Sequence, residues 1–104
     1  MDKTPDEVVD FVDKLKKDFY IEKVIFFGSR VRGDYLKSSD YDLIVVSKDF
    51  EGVFFTDRIS KMYKYWKSEN ALEVLCYTPE EFNKKRNQIC IVREAVREGV
   101  EIEV

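Results

Sequence analysis

The sequence predicts an α/β (α+β) fold, a small mixed β-sheet with helices packed on it. Val24-Ile25-Phe26-Phe27 and Leu43-Ile44-Val45-Val46 are short apolar runs bounded by Gly, Ser or Asp, so each reads as a buried strand. Leu72-Glu73-Val74-Leu75-Cys76-Tyr77 reads as a third. Near both chain ends, and between the second and third strands, apolar residues recur at helical spacing instead.

In chain order, Thr4-Pro5-Asp6-Glu7 predicts a helix start, with Thr4 as N-cap, Pro5 at the first helical position and Glu7 closing a capping box. Val8, Phe11, Val12, Leu15 and Phe19 then form one stripe, leaving Asp10, Lys14 and Lys17 to water. Residues 20–28 make the first strand. Residues 29–34 are expected to form a short helical turn, and 35–39 an exposed loop through Lys37-Ser38-Ser39. After the second strand, 48–53 reads as a loop around Gly52. Residues 55–67 read as a helix with Ile59, Met62, Tyr63 and Trp66 on one face. Such an aromatic stripe is usually core; lining a base-stacking pocket is its other use. The second and third strands are joined by more than about twenty residues including that helix, the length of a crossover, so they should be parallel.

Thr78-Pro79-Glu80-Glu81 repeats the opening pattern and predicts a helix over 79–86. A last helix over 88–98 puts Ile89, Val92 and Val96 on one face with Ile91 and Ala95 beside it, and ends at Gly99. Lys84, Lys85, Arg86, Arg93 and Arg97 give this quarter a basic, solvated side. Val100 to Val104 alternates apolar and acidic residues, as an edge strand or a frayed tail does.

A chain of 104 residues is expected to form one domain over 1–104, too short to add a separate substrate domain. A net charge of −3 argues against general nucleic-acid binding. No apolar run approaches the ~18 residues of a membrane span, and the N-terminus lacks a signal-peptide pattern. Cys76 and Cys90 suit neither a metal knuckle nor a disulfide scaffold; they read as reduced, buried thiols of a cytoplasmic protein. The absence of histidine excludes His-activated nucleophiles, and no P-loop or dinucleotide fingerprint is present.

The chemistry sits where the first two strands meet their connector. Asp40 and Asp42 alternate onto one face. Two such carboxylates repel unless a cation lies between them, and Mg²⁺ favours oxygen ligands of this kind. Gly28 permits a sharp turn and close approach of a ligand to the backbone. Ser29 falls where a short helix would begin, a place for phosphate oxygens. Glu73, an acid in an otherwise apolar strand, needs a partner: either a salt bridge to Lys or Arg, or a metal as a third ligand. If the first strand is antiparallel to the second, Gly28, Asp40, Asp42 and Glu73 share one sheet edge. That combination suggests metal-assisted handling of a nucleotide.

Gly28-Ser29, followed beyond positions 30–39 by Asp40-x-Asp42, resembles the signature of the DNA polymerase beta-like nucleotidyltransferase superfamily. Gly28-Ser29-Arg30-x-Arg32-Gly33 and the small size resemble its minimal branch, the MNT antitoxins often paired with HEPN ribonuclease toxins. The resemblance runs from about residue 5 to about residue 98. It implies the polymerase beta-like nucleotidyltransferase fold, and transfer of a nucleoside monophosphate from an NTP to an acceptor hydroxyl with release of pyrophosphate.

On that resemblance Asp40 and Asp42 bridge two Mg²⁺ ions about 3.5–4 Å apart, and Glu73 completes the metal site and takes the proton of the attacking hydroxyl. The superfamily commonly has Asp at this third position, so Glu73 departs from it by one methylene. Ser29 and the backbone at Gly28 hold the β- and γ-phosphates, and Arg30 and Arg32 neutralise the leaving pyrophosphate. The implied acceptor is a tyrosine of a paired HEPN toxin, silenced by AMP from ATP. Two alternatives stand beside it. One is adenylylation of another protein or of a small molecule, a small acceptor coming to a shared or homo-oligomeric site; the other is a binding protein that neutralises its partner by contact alone. Base preference, the choice of Mg²⁺ or Mn²⁺, and oligomeric state are left open by the sequence.

Overall fold

A computed structural model describes residues 4–28, 41–88 and 91–104. Ser29, Arg30, Arg32, Asp40, Ile89 and Cys90, with the turn and loop expected over 29–39, lie outside the described residues. The elements are α1 (Asp6–Asp18), β1 (Ile21–Phe27), β2 (Tyr41–Ser47), a 3₁₀ turn (Lys48–Phe50), α2 (Phe55–Tyr63), β3 (Leu72–Tyr77), α3 (Pro79–Lys85), α4 (Ile91–Glu98) and β4 (Val100–Ile102).

The four strands form one mixed sheet in the order β3-β2-β1-β4. β2 and β3 are parallel, as the crossover through α2 requires, and β1 runs antiparallel to both β2 and β4. The chain's last run is therefore an edge strand, with Val24 opposite Ile102.

Alternation along the strands makes two cores. On one face Leu43, Val45, Val74 and Cys76 meet Val8, Phe11, Val12 and Leu15 of α1 and Met62 of α2. On the other, Ile25, Phe27, Ile44 and Val46 meet Phe82 of α3 and Val92 and Ala95 of α4. α3 has 7 residues and α4 has 8, too few to hold a helix in water, so this packing is what keeps them folded.

Three local expectations are corrected. At the start of α1 Pro5, not Thr4, is the N-cap, and its carbonyl accepts from Val8 and Val9 N–H at 3.0 and 3.1 Å. Glu7, expected to close a box there, accepts a hydrogen bond from the Asn70 side chain at 2.9 Å. The identical pattern at Thr78 does form the full capping box, with Glu81 as its acid. α2 stops at Tyr63, short of 67, because the chain tightens into three-residue turns, Tyr65 N–H to Met62 and Trp66 N–H to Tyr63. Those turns swing Trp66 edge-on to Phe11 and Tyr41, at 5.4 and 5.6 Å between centroids. Finally, 48–53 is not plain loop: Ser47 Oγ accepts from Asp49 N–H at 3.0 Å and caps a turn that buries Phe50 completely.

Candidate functional site

β1 ends where β2 begins. Phe27 lies opposite Asp42 in the antiparallel register, and Asp42 lies opposite Glu73 in the parallel one. Asp42 shares its parity with Ile44 and Val46, and Glu73 with Leu75 and Tyr77, all of which belong to the α3–α4 face. Asp42 and Glu73 therefore rise from the same face of adjacent strands, at their N-terminal ends. Asp42 is half-buried and Glu73 exposed. Among the described residues Glu73 makes no ion pair with Lys or Arg.

Gly28 closes the corner. Its φ is +94°, a conformation that side chains rarely adopt. A Cβ at this position would overlap the Asp42 Oδ2 and stand 3.1 Å from its Cγ. Only glycine lets the backbone turn here and lie against the carboxylate. The result is a main-chain bend directly beside an acid, with no side chain between them.

Asp42 and Glu73 supply hard oxygen donors from neighbouring strands, the ligand chemistry that Mg²⁺ takes. Among the described residues no three His, Cys, Asp or Glu gather closely enough to hold a metal ion. Asp40, the third acid of the expected set, lies outside them, as do Ser29, Arg30 and Arg32.

A cleft of about 410 Å³ opens at this corner, with Gly28 and Asp42 on one side and Ile91, Glu94, Ala95 and Glu98 of α4 on the other. The sequence reading treated α4 as a core stripe with a basic side and overlooked this wall. The signal was present: 91, 94, 95 and 98 follow helical spacing, and two of the four are acidic. The aromatic stripe of α2 is no part of this corner. Met62, with Ile59 and Trp66 against it, packs on the α1 face, the opposite side of the sheet from Asp42, so these three are core, whereas Tyr63 is exposed and donates its hydroxyl to the Leu72 carbonyl at 2.8 Å.

A model of the nucleotidyltransferase domain matches residues 7–98. A protein of Methanocaldococcus jannaschii, provisionally named a protein adenylyltransferase, is 37% identical over 83 residues, 77% of this chain and 79% of the relative. A second protein of that organism with the same provisional name is 26% identical over 104 residues, covering 92% of this chain and 99% of the relative. A crystal structure from Sulfolobus solfataricus, provisionally titled a nucleotidyltransferase, superposes with a TM-score of 0.65 at 24% identity, over 91% of this chain and 75% of that one; it shows the shared fold. The chain belongs to the nucleotidyltransferase domain family, and with it to the transferases.

Proposed function

We propose that this protein moves AMP from ATP to a hydroxyl on a partner protein, with Mg²⁺ as cofactor. The observation that carries the reading is the corner itself: the side-chain-free bend at Gly28, pressed against Asp42, with Glu73 beside it on the next strand. The provisional names of the two relatives support a protein as acceptor. The resemblance to MNT antitoxins makes that protein a HEPN-type toxin and the acceptor a tyrosine.

In this reading Asp42 and Glu73, with Asp40, hold Mg²⁺, which would supply charge neutralisation on the phosphates when bound. The open backbone at Gly28 receives the phosphate chain, with Ser29, Arg30 and Arg32 contributing beyond it. The acceptor oxygen forms a bond to the α-phosphorus, the bond from that phosphorus to the bridging oxygen breaks, and pyrophosphate leaves. The hydroxyl proton passes to a Glu73 carboxylate oxygen, exposed at the rim.

Labelled ATP, Mg²⁺ and the product of the adjacent gene test this. Label on that protein which disappears with Asp42→Asn supports transfer. A tight complex that never acquires label overturns it in favour of neutralisation by contact.

A further inference from the structure

We propose that Tyr63 is a positioning residue for Glu73, fixing from outside the corner the peptide group on which the Glu73 side chain is mounted; this rests on the role given to Glu73 above. β3 is an edge strand, laddered to β2 on one side only among the described residues. Tyr41 N–H donates to the Ala71 carbonyl at 2.9 Å, and Tyr41 lies opposite Leu72. In a parallel ladder the Tyr41 carbonyl then takes the Glu73 N–H, while Leu72, Val74 and Cys76 turn their backbone groups outward. Two of those outward carbonyls have side-chain donors. Cys76 accepts from Arg58 at 3.1 Å at the far end of β3, and Leu72 accepts from the Tyr63 hydroxyl at 2.8 Å beside Glu73.

The Leu72 carbonyl and the Glu73 N–H belong to one planar peptide group. That plane is held from both sides, by β2 and by Tyr63, and it sets the direction in which the Glu73 side chain leaves the strand. Glu73 is exposed and makes no ion pair with Lys or Arg among the described residues, so the aim of its carboxylate toward Asp42 depends on that mounting. Packing does not account for the tyrosine. Tyr63 is 46% exposed at the last residue of α2, where phenylalanine would cover the same surface. Nor does stability, because water would satisfy a carbonyl at an open edge. Water is not fixed in place, whereas this hydroxyl is carried by a helix. Trp66 Nε1–H donates to the Asn70 carbonyl at 2.8 Å and steadies the approach to β3, which leaves the peptide next to the acid to Tyr63.

The test uses the whole chain, labelled ATP, Mg²⁺ and the product of the adjacent gene. Y63F lowers kcat about fivefold, the worth of one hydrogen bond, and holds the KM for ATP within about twofold, because the phosphate side at Gly28 is untouched. Y65F, which loses a 2.6 Å hydroxyl bond to Asp18 in the same segment, keeps the wild-type kcat. In an E73Q background Y63F has no further effect. Mg²⁺ affinity, measured by calorimetry with a non-hydrolysable ATP analogue, follows the same pattern: weaker in Y63F, unmoved by Y63F once Glu73 is replaced. An unchanged kcat in Y63F overturns the proposal. So does an equal loss in Y65F, or a Y63F loss that persists in E73Q, since either means general loosening of the segment. If no label reaches the partner but Mg²⁺ affinity keeps its pattern, the transfer reading fails and the positioning role stands. Without transfer and without that pattern, both fail.

Discussion

Arg58 holds Glu81 through two hydrogen bonds of 2.6 and 3.2 Å, with the arginine side chain 8% exposed and the glutamate 42%. The same guanidinium donates to the carbonyls of Cys76 and Val53 at 3.1 and 2.8 Å, tying α2 and the turn before it to β3 and α3. Arg58→Ala removes that donor from both carbonyls and leaves the carboxylate only its Thr78 N–H. It is expected to cost about 3 kcal/mol in urea unfolding, the low end for a broken buried pair because Glu81 keeps some water.

Glu81 also carries a pH prediction. Its carboxyl is held below the usual range, first by the Arg58 hydrogen bond and further by the Thr78 N–H, against the opposing effect of burial. The folded value lies below the unfolded one, so the stabilisation is fully present above the unfolded value, about 4.3, and is lost as pH falls through the folded value. Glu81→Gln should lower stability near neutrality and flatten its fall below about pH 4. Equal slopes for variant and wild type in that acid range would show that the pair is not the source.

Two glycines with positive φ separate strain from site geometry. Gly52, at φ +76°, has open space where a Cβ would go, whereas Gly28, at +94°, has the Asp42 carboxylate. Both Ala variants should lose about 1–3 kcal/mol of stability from the backbone conformation. Gly28→Ala should in addition lose AMP transfer by at least about a hundredfold, because Asp42 must move. Gly52→Ala should transfer normally while it remains folded, as single-turnover labelling and thermal melts would show.

Asp42→Asn keeps the size and removes the charge. It should abolish Mg²⁺-dependent transfer and weaken Mg²⁺ binding measured by calorimetry in the presence of an ATP analogue. Glu73→Gln should act in the same direction but less severely, given its exposure. Glu73→Asp tests whether the extra methylene is needed; retained activity would mean that its reach is not.

Cys76 is expected to be chemically silent. Burial pushes its thiol up to about 12, only partly offset by the Arg58 charge, so the thiolate is scarce near neutrality. In a Cys90→Ser background, iodoacetamide should label Cys76 only once the chain unfolds. Rapid labelling of the folded protein would contradict the packing around β3.

Much of the fold was legible in the sequence. Strands at 21–27, 41–47 and 72–77 were marked by dense β-branched and aromatic runs, and the parallel pairing of β2 with β3 by the length of their connection. The helix caps show where such reading stops. Thr-Pro-acid-Glu occurs at Thr4 and Thr78, yet only the second becomes a capping box. At the second, Arg58 fixes the Glu81 carboxylate from outside the helix. At the first, the side-chain N–H of Asn70, distant in sequence, donates to the Glu7 carboxylate.

By itself the sequence determined which residue types meet at the end of the first strand and the start of the second, because alternation and spacing are properties of the local chain. The tertiary structure alone decided that α4 turns Glu94 and Glu98 toward Gly28 and Asp42, and that Glu73 stands in register with Asp42. Those relationships come from how helices and strands dock. Docking is set by burial summed over two whole cores, and no single segment encodes it.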